Sequence, residues 1–330
     1  MRAVVLVGGF GTRLRPLTLS TPKPMLPVGH RPMIARLVDR LGRGGVEEVV
    51  LALGFKPEPF VEAFPDGTCG DVRLTYAVEP EPLDTAGAIR FAADHAGIDD
   101  TFVVANGDVM TDLDVGGLVA AHRSFGAEAT IHLIGVEEPS AFGVVDLAGD
   151  GRIRAFVEKP AAGTEPSNRI NAGTYVFEPS VLQRIPAGER SSIERDTFPA
   201  IAADGRMFGH PTDDYWIDAG RPELFRAANL DLLDGRRDER CVAIHPEARI
   251  DPSATIRNSV VGARAVVGAR AEVVDSVLLP DARVKDAATV ARSLVMGCIG
   301  PGAAVRDSVI GADGDVAPGS RLSDTTVPSS

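Results

Sequence analysis

Near its start the chain reads VVLVGGFGTRLRPLTLSTPKPMLP over residues 4–27, an apolar run that breaks into glycines, then arginines, then a lysine between two prolines. Those residue types in that order suit a ligand with several phosphates. Glycines let backbone N–H groups approach phosphate oxygens closely. Arg13 can fork across two oxygens, whereas Lys23 offers a compact point charge on a stem fixed by Pro22 and Pro24. Two common phosphate-binding strings are absent. No G-x-x-x-x-G-K-[ST] occurs, and the spacing begun by Gly9 and Gly11 meets Leu14 where a dinucleotide fingerprint has its third glycine. A plain strand–turn–helix with surface cations would give the same string without chemistry. Of the 34 Lys and Arg residues only four are lysine, Lys23, Lys56, Lys159 and Lys285, and Lys23, Lys56 and Lys159 each precede a proline. A chain that otherwise takes Arg for positive charge can keep Lys where a compact ammonium is required.

A carboxylate, Asp108, directly follows the apolar run 102–105. That is the carboxyl end of an expected strand, where ligands bind in open α/β sheets. Taken alone, such an Asp is as readily a helix cap or a turn residue.

The elements that must position these residues are legible in the spacing. Residues 3–7, 49–53, 102–105 and 130–134 read as buried strands, and 33–44 and 114–123 carry the three-to-four spacing of amphipathic helices. Strand–helix alternation implies an α/β fold, a Rossmann-like, mostly parallel sheet covered on both faces. The pattern stops at the charged stretch 231–241, and the period then becomes six. Ile244, Ile250 and Ile256 are six apart, as are Val261, Val267 and Val273, then Ile299 with Val305, and Ile310 with Val316 and Leu322. Hexapeptide repeats of this kind predict a left-handed parallel β-helix, each apolar residue pointing into a narrow prism. The expected organisation is a catalytic domain over 1–232, a linker over 233–241 and a β-helix domain over 242–330.

The net charge of −12 argues against a nucleic-acid binder, so an anionic ligand needs a local cluster of cations. Three distant cysteines, Cys69, Cys241 and Cys298, fit a reducing compartment. Without a leader-like start or a run of roughly 20 apolar residues, the expectation is a cytoplasmic protein with no membrane partner.

The ordered strings LVGGFGTRLRPLT…PKPMLPV, EPLDTAG, NGDV, FGVV, VEKP, NAGTYVF and YWIDAGRPE resemble the motifs of the nucleoside-diphosphate-sugar pyrophosphorylases. Their order and the hexapeptide tail are similar to the mannose-1-phosphate guanylyltransferase branch, over nearly all of residues 1–330. The resemblance implies transfer of a nucleotidyl group from a nucleoside triphosphate to a sugar 1-phosphate, with release of pyrophosphate. It implies nucleotide contacts from Leu6, Gly8, Gly9, Gly11, Thr12, Arg13, Lys23, Glu79 and Asn106. Sugar contacts fall to Gly143, Glu158, Lys159 and Asn171, and Mg²⁺ to Asp108 and Asp218. Arg13, Lys23 and Lys159 are then the catalytic cations. The attacking and leaving groups are phosphates, so the protein's task is positioning and charge neutralisation.

The base follows from chemistry at the position that resembles the family's base reader. Guanine offers adjacent N1–H and N2–H₂ donors, which a carboxylate can accept together, whereas thymine and uracil suit Gln. Glu79 stands there, which favours GTP and GDP-mannose, although Glu81 is near enough to be the reader instead, and a solvated loop charge would look the same. One departure is Asp84 within Leu83-Asp84-Thr85-Ala86-Gly87, where many relatives have glycine. It leaves open the acceptor: mannose 1-phosphate, glucose 1-phosphate, or a cyclitol phosphate such as valienol 1-phosphate. dTTP or UTP as donor, and a non-catalytic regulatory subunit that binds the nucleotide sugar, are the alternatives. An acyltransferase prism would need a histidine base, and after residue 241 only His245 remains, at the prism's very start. The prism is therefore expected to be a homo-oligomerisation or regulatory module.

Overall fold

A computed structural model describes residues 1–9, 11–54 and 57–328, so Lys56 and the last two residues of the expected prism lie outside it. Two compact units form, and neither is one continuous segment. The first comprises Met1–Gly9 and Ile34–Trp216; the second comprises Phe10–Met33 and Ile217–Ser330.

The first unit is built on a ten-stranded sheet. In chain order its strands are β1 (Arg2–Leu6), β2 (Glu48–Leu53), β3 (Thr68–Cys69), β4 (Val72–Val78) and β5 (Phe102–Asn106). Next come β6 (Ala129–Gly135), β7 (Gly143–Leu147), β8 (Ile153–Glu158), β9 (Arg169–Phe177) and β10 (Met207–Thr212). The expected parallel core is β4-β2-β1-β5, with β1 in register against both β2 and β5. β1, β2 and β5 are apolar along their centres because both faces are covered, Val4, Val50 and Val104 being fully buried, whereas β4 alternates, with Arg73 exposed. Helices α1 (Met33–Arg43), α2 (Glu58–Ala63), α3 (Asp84–His95) and α4 (Val115–Phe125) fall between these strands, α1 and α4 where helical spacing placed them. Beyond β5 the order β8-β7-β9-β5 is antiparallel and β6 pairs antiparallel with β9, while β10 runs parallel to β6. The sheet is therefore mixed. Only a short turn joins β7 to β8, and a parallel pair would need a crossover of a dozen or more residues. Helices α5 (Ser180–Gln183) and α6 (Phe198–Ala203) complete this unit.

In the second unit α7 (Pro222–Asp234) precedes three five-stranded parallel sheets, the faces of a β-helix of the left-handed hexapeptide kind. Inward residues such as Val261, Val267, Val273 and Leu278 are buried to within 1%. Successive coils are offset by 17 residues, with one offset of 15. The spacing of six is thus interrupted by a shorter step within each coil, and Leu278, Val284 and Val290, six apart, form a further run of the same repeat. Ile244 bridges the inward Val261 in parallel register, as its inward position requires, yet is 39% exposed. It opens the first coil, which has a neighbouring coil on one side only.

One prism corner carries a ladder that period counting does not register. Ser259, Ser276, Ser293, Ser308 and Thr325 stack, each accepting from the N–H of the next and donating to the carbonyl two residues before itself. Ser293→Ala strips the Ser308 N–H of its acceptor while the Ala291 carbonyl keeps the Asp307 N–H. An unpaired buried N–H costs about 1–3 kcal/mol, so this variant should unfold at lower denaturant with an unchanged m-value. Among the described residues no helix is long and apolar enough to cross a membrane.

Candidate active site

In the second unit the loop from Gly11 to Met33 is anchored by its leucines and displays its cations. Leu14, Leu17 and Leu26 are fully buried, whereas Thr12 and Arg13 are exposed. Gly11 has φ +55°, and a Cβ there would fall 2.9 Å from Thr18 Cγ2 and 3.2 Å from Lys23 Cβ, so both the backbone and the space require glycine. Lys23 begins a short turn with Pro24 as its second residue and is only 7% exposed. Its ammonium lies 3.6 Å from Asp218 Oδ1, a buried oxygen that accepts no hydrogen bond. Gly220 is the floor beneath this pair. A Cβ there would meet Asp218 Oδ1 at 2.7 Å, Lys23 Nζ at 2.9 Å and Arg13 Nη2 at 3.4 Å. Two cations and a carboxylate thus converge on one bare stretch of backbone. Arg13, Lys23 and Asp218 are brought together over Gly220, a residue without side-chain chemistry that the motifs do not single out.

The same loop is tied to the rest of its unit. The Gly29 N–H donates to Asn229 Oδ1 of α7 at 2.8 Å, and Asn229 is fully buried. His30 Nε2 donates to the Val242 carbonyl at 2.8 Å, and its ring meets that of His245 edge-on at 5.1 Å. Pro16 packs directly on Gly311 of the prism.

In the first unit, Leu6 ends β1 between Ala52 and Asn106, and Gly8 and Gly9 follow it exposed, Gly9 with φ +115°. Asp108 stands two residues past β5 and is half-buried. Gly107 before it donates its N–H to the Leu6 carbonyl and has no room for a Cβ, which would lie 2.7 Å from Val7. The two expected metal carboxylates therefore belong to different units.

Glu79 is 8% exposed and Glu81 fully at the surface, which separates the two base-reader candidates by burial. Glu79 Oε2 accepts the Leu83 N–H at 2.9 Å. Burial pushes its carboxyl above the usual carboxylate range, and the Leu83 hydrogen bond offsets part of that rise. Asp84 has φ +62°, the left-handed conformation that explains a glycine in relatives and that Asp tolerates better than most residues. Its carboxylate accepts the Thr85 N–H at 2.9 Å and lies 3.6 Å from Arg190 Nε.

Of the four expected sugar residues, Asn171 bonds the Tyr175 hydroxyl and Glu158 acts on it through its charge, while Gly143 and Lys159 flank Glu158. Asn171 Nδ2 donates to the Tyr175 hydroxyl at 3.0 Å, and Asn171 Oδ1 accepts the Gly173 N–H at 2.9 Å across an irregularity in the β9–β6 pairing. Asn106 also bonds this hydroxyl, and burial together with the charges of Glu194 and Glu158 holds the phenol protonated far above neutrality. Gly143 opposes Glu158 in register, and a Cβ there would lie 2.4 Å from Phe156 and 3.0 Å from Glu158 Oε2. Lys159 adopts φ +49°; its ammonium, well exposed, lies 3.3 Å from Glu158 Oε1. A tyrosine inside an apolar run carries no outward sign of being a hub, and only the adjacent Asn-x-Gly hinted at a local turn.

Residues 2–235 match the family model described as nucleotidyl transferase, and residues 239–330 match that of the GMPPB C-terminal domain. A mannose-1-phosphate guanylyltransferase of Mycobacterium tuberculosis is 42% identical over 261 residues, covering 76% of this chain and 71% of its own length. A mannose-1-phosphate guanyltransferase of Aspergillus fumigatus is 44% identical over 229 residues, 68% of this chain and 62% of its own length. Among solved structures, one from Bacillus anthracis described as a glucose-1-phosphate thymidylyltransferase, in complex with a sucrose, matches with a TM-score of 0.63 at 27% identity. That match covers 69% of this chain and 94% of the other.

Proposed function

Because the chain belongs to the nucleotidyl transferase family, we propose that it transfers the guanylyl group of GTP to mannose 1-phosphate, giving GDP-mannose and pyrophosphate. The observation that carries this reading is the convergence of Arg13, Lys23 and Asp218 over Gly220. Positive charge held without side-chain bulk beneath it suits a polyphosphate. On this reading Arg13 and Lys23 hold the β- and γ-phosphates and the charge that grows on them as pyrophosphate leaves. Lys159 orients the acceptor phosphate for in-line attack on the α-phosphorus, while Glu158 and Asn171 hold sugar hydroxyls.

Magnesium fits the donors present. Asp218 Oδ1 is a hard, buried oxygen without a hydrogen bond, and among the described residues no three His, Cys, Asp or Glu side chains cluster into a metal cage. Mg²⁺ characteristically takes one or two carboxylates and completes its shell with substrate phosphates and water. Asp218 and Asp108 are the proposed carboxylates, and the ion, when bound, neutralises phosphate charge. The proposal extends to a cytoplasmic homo-oligomer assembled through the prism, with the catalytic segment ending near residue 232.

A thymidylyltransferase-named structure matches the fold over 69% of this chain and two guanylyltransferase-named relatives match its sequence, so the choice of base must rest on individual side chains. Glu79 is the proposed guanine acceptor. Pyrophosphate release should be measured with Mg²⁺ across GTP, dTTP, UTP and ATP, against mannose, glucose and valienol 1-phosphates. Turnover confined to GTP is expected, and Glu79→Gln should lower kcat/KM for GTP by about 10- to 100-fold, the worth of a charged hydrogen bond. A preference for dTTP or UTP would refute the base assignment and leave nucleotidyl transfer standing. Because burial raises the Glu79 carboxyl, acidification should protonate it early. KM for GTP should therefore rise at a higher pH than an ordinary carboxylate would dictate, and that rise should vanish in Glu79→Gln.

A further inference from the structure

One prism face carries strands Thr255–Arg257, Glu272–Val274, Thr289–Ala291, Ala304–Arg306 and Arg321–Ser323, and a concave groove of about 560 Å³ runs along it. The first and third residue of each strand point outward, since the second is the one buried in the prism. Along the floor those outward residues are short: Val274, Ala291 and Ala304. At the rim stand Arg257, Arg292, Arg306 and Arg321 against Glu272 and Asp275, an excess of two positive charges on a chain of net −12.

Two prism arginines are matched to aspartates of neighbouring coils, whereas the exposed Arg249, Arg270 and Arg283 make no ion pair among the described residues. Arg264 forks onto Asp281, and Arg292 at the groove's corner forks onto Asp307. Arg257, Arg306 and Arg321 have no such partner: none makes an ion pair within 4 Å among the described residues. Arg306 and Arg321 lie on adjacent coils, Ala304 pairing with Arg321 and Arg306 with Ser323, so their strands are about 4.8 Å apart. They are diagonal neighbours, two positions apart along the register and about 8 Å apart at Cα, and their long side chains can converge on two linked phosphates, each fork taking a pair of oxygens. The volume suits a small ligand.

We propose that this groove binds a small molecule carrying a diphosphate, its phosphates at Arg306 and Arg321 and its less polar body along Ala304, Ala291 and Val274. The groove also connects with the nucleotide loop. Arg226 of α7 donates to the carbonyl of Asp275, a lining residue, at 3.1 Å, and three residues on Asn229 holds Gly29. Occupancy therefore acts on the loop that carries Arg13 and Lys23, and a bound diphosphate regulates turnover.

Calorimetric titration of the full chain with inorganic pyrophosphate tests the site. A binding event should weaken at least 10-fold in the Arg306→Glu, Arg321→Glu double variant and persist in Lys23→Met. Ala291→Trp, which fills the floor and leaves every charge in place, should weaken GDP-mannose at the same site. It also decides the matter should the double variant fail to fold. Pyrophosphate isotherms identical in wild type and double variant would overturn the proposal. So would a salt-sensitive self-association abolished by the double variant with ligand stoichiometry unchanged, since that assigns the face to a second copy. Turnover is read separately, so a chain without guanylyltransferase activity leaves the groove test intact.

Discussion

Lys23→Met should lower turnover by about 10²- to 10³-fold, the loss typical of deleting one preorganised charge stabiliser. Methionine keeps the unbranched stem and removes only the ammonium. The effect should be large because Lys23 is 7% exposed and faces Asp218, so water cannot take the place of the lost charge. A structural role would also be damaged, since the variant leaves a buried Asp218 oxygen without its counter-charge. The double variant Lys23→Met, Asp218→Leu separates the two effects. Its thermal stability should recover towards wild type because the Asp218 carboxylate goes with its counter-charge, while turnover should stay at the single-variant level or below. Gly220→Ala should cost a comparable amount of turnover with every charge retained, because its methyl would occupy the point where the three groups meet. Turnover of Lys23→Met within 10-fold of wild type would remove Lys23 from the catalytic machinery.

Much of this architecture was legible, for a reason specific to its elements. A strand covered on both faces must be apolar throughout, so β1, β2, β5 and β6 announced themselves as unbroken runs. The prism was legible because each coil repeats the same demand for one inward side chain per face. What the sequence hid is what depends on partners distant along the chain. The antiparallel half of the sheet is set by β9 inserting beside β5, and β9 reads like any other apolar strand. Nor does any local pattern reveal that residues 10–33 belong with α7 and the prism rather than with the strand they follow.

Within the site, the glycines and cations of the opening loop were legible because phosphate chemistry restricts which residues can serve. Gly11 is required by both its φ and its neighbours, which no single sequence can reveal. Glu79 could be nominated but not distinguished from Glu81, because burial of a loop carboxylate depends on how the loop folds back; here the Leu83 N–H fixes it. Asp84 looked anomalous in sequence, and its left-handed backbone supplies the physical reason a glycine is usual there. Tyr175 and Gly220 were missed for opposite reasons. One is an aromatic that packs like core yet gathers Asn106 and Asn171, and the other has no side chain whose chemistry could be read.

Gly311→Val should slow turnover about 10-fold or more while leaving the prism folded, a result that would change how the prism is regarded. Gly311 has an ordinary backbone conformation and does not need to be glycine for its φ. Its constraint is Pro16, whose Cβ and Cγ would lie 2.7 and 2.8 Å from an added Cβ. Pro16 cannot yield alone, because Leu14 and Leu17 beside it are fully buried. The loop must therefore move as a body, carrying Arg13 and Lys23 with it, and displacements well under 1 Å are costly where reacting groups are prepositioned. The neighbouring face gives the same message. Val260, Val277 and Leu294 point away from the prism interior yet are buried to within 2%, and α7 packs on the first of their strands. A side chain that leaves the prism and still avoids water marks a face used for support within this unit. Ala312→Val, one position along and exposed, is the matched control and should leave turnover unchanged. Equal activity of both variants would return the prism to an assembly role; loss confined to Gly311→Val, with unaltered prism unfolding, would make the β-helix the buttress of the nucleotide loop.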